Sequence, residues 1–534
     1  MVDIIIRDGC IVDGSGKPGF QADIAVQNGR IISIGNLADQ TGRTELDASG
    51  LVVAPGFIDA HAHSDTTFLL DDTSAAKLYQ GVTTEVVGQC GDSPFPALPS
   101  RMEAMKREWT DGENWYHTSF EEYFRHFQDS GKKMATNLAL LVGHGCLRAG
   151  VLGYDDRPVT PDELESMKAI LRQDLHDGAW GMSLGLEYSP GLFSTPDELA
   201  ALGSVVKECD GLIACHMRNE GLFINEAIEE LLNVGRASGA HVHISHLKID
   251  NYKAHGRAPE VWSLIENAKT EGVNVTADMY PYTASSTSLS IRCPQWTREG
   301  GEAAVAQALQ GPRRAEIIDS LRSHYFNAER AETCLITDEK GYWPEIRGKT
   351  LRQVAEEYLH TTDYAEAAAE VLIRTHGETI GSFFVMSAED MQYFLSQDIC
   401  IGSDGFAYAA DPAKIPSIPH PRSFGTFPEF FRLRREHEFC SLEQAVRRVT
   451  SKTADMLGMK DRGLLREGMV ADITVFDPDM IAPRATHIDP VQLSTGVHHV
   501  IINGEIALKN GEQTDVRNGR ILRKPISFTD HCRN

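Results

Sequence analysis

Between residues 55 and 463, short apolar runs of strand-like texture alternate with helical stretches, and nothing else in this chain restricts its fold so strongly. Eight runs can be counted: GFIDAHAH (56–63), TTEVVGQC (83–90), NLALLVGHG (137–145), GAWGMSLGL (178–186), GLIACHM (211–217), AHVHISHLK (240–248), VNVTADMY (273–280) and ICIGSDG (399–405). Apolar strands that each feed a helix are the pattern of a buried parallel sheet. The helix starts between them are legible, because Thr160-Pro161-Asp162-Glu163 and Thr195-Pro196-Asp197-Glu198 each offer an N-cap threonine, a proline at N1 and a glutamate at N3. Ser441 with Gln444 predicts a further helix over EQAVRRVTSKTADMLGM in the same way. The expected architecture is α/β, a (β/α)8 TIM-like barrel. More than a hundred residues separate the seventh run from the eighth, too many for one crossover, so an inserted subdomain is expected at 297–385.

The chain ends have another texture. Short apolar runs and turn dipeptides (Asn28-Gly29, Asn503-Gly504, Asn510-Gly511) predict hairpins at both termini, and 1–54 with 464–534 are expected to complete one small β-sandwich. Hydrophobic residues at 42% and charged residues at 24% exclude a disordered or fibrous chain. Acidic residues (76) exceed basic ones (51) by 25, which leaves no general positive field for nucleic acid or anionic lipid. With no signal-like N-terminus, no long apolar span and ten scattered cysteines lacking a CxxC pair, a cytoplasmic protein off the membrane is expected.

In a barrel, side chains at the C-terminal strand ends converge on one mouth. His61 and His63 end the first run, Cys90 the second, His216 the fifth, His246 the sixth and Asp404 the eighth. Neutral imidazoles, a thiolate and a carboxylate are ordinary zinc donors. Any one of them alone reads as structure: a hydrogen-bonded histidine, a small buried thiol, a helix-capping aspartate. Their joint position at strand ends points to a metal centre. His144, at another strand end, reads equally as structural or substrate-facing, and His241 and His243 are expected deeper in the sheet or on its helix-facing side.

The motifs GFIDAHAHSD, GVTTEVVGQCG, HMRNEG, HISHLK, DMYPYTASST, IGSDG and HPRSFGTFPEF, in this order, resemble the D-aminoacylases, the N-acyl-D-amino-acid deacylases of the amidohydrolase superfamily. The HxH pair marks only the superfamily; cysteine in GQCG combined with HPR and GTFP is narrower. The resemblance implies that Cys90, His216 and His246 hold one tightly bound Zn2+, that His61 and His63 with Cys90 and Asp404 outline a second, weaker divalent position, and that Asp404 is the general base. It implies a small-molecule substrate whose α-carboxylate is clamped by Arg422, Lys248 and a tyrosine of YPY, with Tyr282 preferred over Tyr280, and whose oxyanion is met by the metal with Tyr188. His246 and Lys248 are expected on one side of one strand. Arg292, where an apolar residue is more usual, is expected either to read an acidic substrate side chain or to pair with an insertion carboxylate such as Glu299.

A cyclic-amide hydrolase of the hydantoinase or dihydroorotase kind shares the barrel and HxH, but bridges two metals with a carboxylated lysine on the fourth strand. No lysine occurs between Lys168 and Lys207. A metal-free scaffold relative is the other alternative, set against the presence of all six donors. Oligomeric state is left open by the sequence.

Overall fold

The computed structural model describes residues 1–99 and 115–525. All eight expected runs contain a strand, shorter than the run, and neighbours pair in parallel. They lie in two sheets. A four-stranded one holds Phe57–Asp59, Val82–Val87 and Asn137–Leu140; a six-stranded one runs from Val142–Gly143 through Gly181–Gly185, Leu212–His216, His241–Ile244 and Val275–Met279 to Cys400–Ile401. Only Leu141 separates the two sheets along the chain, and its N–H still reaches Val87 O at 2.9 Å. On the far side, Ala60 N–H donates to Ile401 O (3.2 Å), Asp404 N–H to His61 O (2.7 Å) and His63 N–H to Gly405 O (2.9 Å), so the first and last strands run side by side.

The fourth member of the smaller sheet is Ile521–Leu522, which pairs in parallel with Asn137–Leu140. The sequence placed RILRKP in the terminal β unit; instead it covers the edge exposed where the strand breaks at Leu141. Unpaired backbone groups in a buried edge are costly, and the returning tail satisfies them. The two chain ends otherwise share one nine-stranded sheet, joined where Val52–Pro55 pairs antiparallel with Ile473–Phe476. The N-terminal part is mixed and not simply antiparallel, since Val2–Ile11 pairs in parallel with both Gly42–Asp47 and Val52–Pro55. Asn28 and Gly29, Asn503 and Gly504, and Asn510 and Gly511 all adopt positive φ, as two-residue hairpins of this kind require. The first two turns abut so closely that a Cβ on Gly504 would strike Gly29.

The helix caps follow the sequence. Thr160 and Thr195 accept from the N–H groups of Glu163 and Glu198, and Ser441 from that of Gln444. The helix from Ser441 is broken into Leu442–Arg448 and Ser451–Leu457, because Thr450 leaves helical geometry at φ −135°, ψ −96°. The stretch before the last barrel strand builds its own antiparallel sheet of Ser285–Ser288, Ile380–Phe383 and Cys334–Asp338 around a separate core that includes Leu289, Ile317, Leu321, Ile336 and Leu372. Its first strand precedes residue 297. No described helix is long and apolar enough to cross a membrane.

Asp174, in the last turn of Pro161–Asp177, is buried with one oxygen accepting from Phe120 N–H (2.8 Å) and the other unbonded among the described residues. Burial pushes its carboxyl up to about 7, above the unfolded value near 3.9. The folded chain therefore holds this proton where the unfolded chain has lost it, and stability declines as pH rises from about 4 through about 7. Asp174→Asn, which keeps the acceptor for Phe120, is expected to be more resistant to urea than the parent chain at pH 8 and to lose that advantage near pH 4; equal advantage at both pH values would contradict the assignment.

Candidate metal centre

Three donors sit just beyond strand ends in left-handed backbone, at φ 55° for Cys90, 37° for His246 and 50° for Asp404. A non-glycine residue in that region costs on the order of 1 kcal/mol or more and persists only when its surroundings over-determine it. For Cys90 the surroundings are visible: Gly88 and Gly91 flank it at positive φ, and a Cβ on Gly185 of the fourth strand would collide with the Cys90 carbonyl oxygen. The turn is thus seated on a glycine of the neighbouring strand, with its sulfur facing the mouth.

Cys90 Sγ lies 3.4 Å from His61 Nε2, 3.4 Å from His246 Nε2 and 3.9 Å from His63 Nε2. His216 Nδ1 is 3.0 Å from His246 Nε2. His63 Nε2 is 2.9 Å and His61 Nε2 3.7 Å from Asp404 Oδ1. A tetrahedral zinc ion holds nitrogens roughly 3.4 Å apart and sulfur and nitrogen roughly 3.6 Å apart, given bonds of about 2.0–2.1 and 2.3 Å. Three donor groups meet that scale: His61 with Cys90 and His246, His61 with His63 and Asp404, and His216 with Glu220 and His246. The grouping differs from the expected division, because Cys90 is joined most closely by His61 and His246. His216 meets the same cluster through His246 Nε2, the shared corner.

Behind each of these three rings stands a carboxylate. His216 Nε2 is 3.1 Å from Glu187 Oε2, His246 Nδ1 is 3.0 Å from Glu220 Oε1, and His61 Nδ1 is 3.7 Å from Asp278 Oδ2. The Glu187 hydrogen bond can fix the tautomer of His216, whereas His246 Nδ1 is bonded by Lys248 Nζ and His61 Nδ1 has no hydrogen-bond partner among the described residues, so Glu220 and Asp278 act on those two rings through charge. Burial lowers His61 and brings His246 down to about 3, so both are neutral at physiological pH, the form in which an imidazole can bind a metal. Burial, with Asp404 nearby, pushes the Cys90 thiol well above its usual range. A sulfur this dry needs a cation to become a thiolate, and a divalent ion is the cation that these donors fit.

Asp404 is held ionised. Burial alone would raise it, but Arg422, His246 and the hydrogen bond with His63 outweigh that and keep it well below the ordinary carboxylate range. Arg422 Nη1 lies 2.9 Å from Asp404 Oδ2, with its guanidinium over the Tyr280 ring at 4.8 Å. Lys248 Nζ is 2.5 Å from Glu220 Oε2 and 2.9 Å from His246 Nδ1. Lys248 and His246 do share a side, although strand alternation is not the cause: the strand ends at Ile244, and the turn at His246 brings them together. Both expected clamp cations therefore sit at the cluster, each beside a carboxylate of the chain itself.

The tyrosines divide. Tyr280 is the one beneath Arg422, whereas Tyr282, preferred from the sequence, lies edge-on to His420 at 5.5 Å with its hydroxyl against the helix Arg422–His437 near Gly425. Strand alternation would put both tyrosines on one face, but the strand ends at Met279, so the backbone beyond it sends the two side chains to different neighbours. The Tyr188 ring lies beside His216 at 4.6 Å, tilted by 56°, and its hydroxyl bonds Thr287 Oγ1 at 2.9 Å. Arg292 pairs with Asp250 at 2.8 Å and lies over Phe383 at 4.5 Å, so its carboxylate partner comes from the barrel loop and not from Glu299. His144, the first residue of the helix His144–Leu152, pairs at 2.9 Å with Glu198 of the helix Pro196–Glu208.

Two residues at the centre, Glu220 and Asp278, escaped the sequence reading, whereas His243, expected deeper in the sheet, is buried there. Glu220 had a signal in HMRNEG, four residues after His216, but no helix follows His216 directly to justify the spacing. Asp278 and His243 pair at 2.7 Å across adjacent strands beneath His61, a register that no single run discloses.

Comparison with known proteins agrees with this geometry. A sequence model described as the amidohydrolase family matches residues 44–306 and 403–508. A D-aminoacylase of Alcaligenes xylosoxydans xylosoxydans is 32% identical over 525 residues, covering 98% of each chain. An N-acyl-D-aspartate deacylase of the same organism is 33% identical over 97% of this chain and 95% of its own. The crystal structure of N-acyl-D-glutamate deacylase from Bordetella bronchiseptica, complexed with zinc and a phosphonate mimic of the tetrahedral intermediate, superposes with a TM-score of 0.81 at 32% identity over 98% of this chain and 99% of that one. The fold is accordingly of the TIM-barrel type with an extra domain. With the donor cluster, the full-length similarity and the shared fold together, the chain belongs to the D-aminoacylase (N-acyl-D-amino-acid deacylase) family of the amidohydrolases, hydrolases of linear amides.

Proposed function

We propose that this chain is a zinc-dependent deacylase that cleaves the amide of N-acyl-D-amino acids to a carboxylate and a free D-amino acid. The observation that carries the reading is the approach of the Cys90 sulfur to His246 Nε2 at 3.4 Å, with His216 Nδ1 3.0 Å from the same nitrogen, within a family of such enzymes. Cys90, His216 and His246 hold the tightly bound ion, and His61 and His63, with Cys90 and Asp404, the weaker one. When bound, the ion polarises the scissile carbonyl and acidifies a water. Asp404, ionised and beside His63, accepts the proton from the attacking water and later gives it to the leaving nitrogen. Lys248 and Arg422, with Tyr280 or Tyr282 beside them, hold the substrate α-carboxylate, and Tyr188 faces the developing oxyanion. Arg292 reads an acidic side chain where the substrate has one. The D preference is carried over from the relatives.

The reading includes an eight-stranded closed barrel spanning 55–463, a composite sandwich of 1–54 and 464–534, and the insertion at 297–385. A cytoplasmic setting is part of the reading, on the scattered cysteines without a CxxC pair. The strand Gly181–Gly185 carries no lysine for a carbamate bridge, which separates the chain from cyclic-amide hydrolases.

The direct test is a panel of N-acetyl-D- and N-acetyl-L-amino acids, acidic members included, with the purified, metal-analysed chain. Release of free amino acid from D substrates alone is expected; equal turnover of L substrates, or hydrolysis confined to cyclic amides, would overturn the reading. Asp404→Asn is expected to keep the tightly bound zinc and to lower kcat by about 100-fold to 10,000-fold, the range for a lost general acid-base group; a normal rate would refute the assigned base. Arg422→Ala should raise KM for free-carboxylate substrates by about 10-fold or more, as for a lost hydrogen bond between charges. An equal penalty on the α-amide analogue would contradict the clamp.

A further inference from the structure

Beneath His61, His63 and Asp404 lies a charge that the chemistry above does not use. Lys77, in the short helix Ala75–Leu78, is 0% exposed, where an ammonium is expensive unless it is paired. Its Nζ donates to Asp59 Oδ2 at 2.7 Å and to Ser403 Oγ at 2.7 Å, with Glu85 Oε2 at 3.4 Å. The other oxygen of Asp59 accepts from Ser403 N–H at 2.8 Å and from His61 N–H at 3.2 Å. Ser403 Oγ in turn accepts from Gly405 N–H at 3.1 Å. Glu85 accepts from Ser64 Oγ at 2.5 Å, and Ser64 Oγ accepts from Ala407 N–H at 2.9 Å.

The bonds of this knot thus end on His61 itself and on residues that flank His63 and Asp404: Ser64, Ser403 and Gly405. Asp404 holds a left-handed φ of 50°, which its neighbours must enforce. His216 and His246 take their support elsewhere, from Glu187 and Glu220. Lys77 supplies the cation without which Asp59 and Glu85 would be two buried carboxylates facing each other's charge.

We propose that Lys77, acting through Asp59 and Ser403, is a positioning residue for the His61–His63–Asp404 ion position and sets the affinity of that position without being a ligand. This rests on the metal reading above. Lys77→Met alone strands two buried carboxylates and is expected to fold poorly. The test therefore uses Ser403→Ala, which leaves the Lys77–Asp59 pair in place, and the double variant Lys77→Met with Asp59→Asn, which removes that pair, keeps an acceptor for Ser403 N–H and leaves Glu85 held by the hydroxyls of Ser64 and Thr136. The full-length chain, stripped of metal, is titrated with Zn2+ against a competing chelator, ions per chain are counted by elemental analysis, and urea unfolding monitors the fold. In both variants the second, weaker equivalent is expected to lose about 10-fold to 100-fold in affinity, the usual effect of removing a group behind a ligand, with the first equivalent unchanged. Equal weakening of both equivalents, no change in either, or a parent chain that takes up only one ion would overturn the inference. A parent chain that binds no ion overturns the metal reading itself, and this inference with it.

Discussion

A sulfur atom held 3.4 Å from two imidazole nitrogens, in surroundings too dry to ionise it unaided, is the contact on which the rest of the mouth depends. Burial keeps the histidines neutral, which leaves their lone pairs open to a divalent ion, whereas it makes the thiol hold its proton until a cation displaces it. The same dryness explains the ring of carboxylates. Glu187, Glu220 and Asp278 each place a negative charge behind one histidine, and Glu187 also hydrogen-bonds its ring.

Charge is shared closely at this centre. Glu220 touches His246 and Lys248 together, and Asp404 touches His63 and Arg422 together, so groups that orient the metal ligands also neutralise the expected substrate cations. A substrate carboxylate arriving at Lys248 or Arg422 enters an arrangement already balanced, and its binding draws on the difference between two carboxylates competing for one cation. Specificity for the acid end of the substrate then depends on geometry as much as on net charge.

How far the sequence could be read follows from the range of the interactions involved. Helix caps at Thr160, Thr195 and Ser441 and turns at Asn28-Gly29 and Asn503-Gly504 are local hydrogen-bond and φ requirements, so their residues are legible in order along the chain. The six donors were legible because a parallel βα repeat puts strand ends at one mouth, and their residue types are uncommon there together. Glu220 and Asp278 were not, because each acts on a ring from another strand and its partner is set by tertiary packing. The same limit misled the choice between Tyr280 and Tyr282 and the partner of Arg292, where adjacent or equally plausible residues differ only in what packs against them.

The sequence by itself determined the alternation of strands and helices, the insertion before the last strand, the pairing of the two chain ends and the set of strand-end donors. These rest on periodicity, turn chemistry and residue type, all of which are written along the chain. Only the tertiary structure decided that the tail at Ile521–Leu522 closes the edge of Asn137–Leu140, that His246 is the corner shared by Cys90 and His216, and that Lys77 lies buried beneath the first and last strands. Each of those joins residues far apart in sequence through backbone edges or buried charges that need a partner, and such needs are met by whatever packing brings within about 3 Å, the reach of a hydrogen bond.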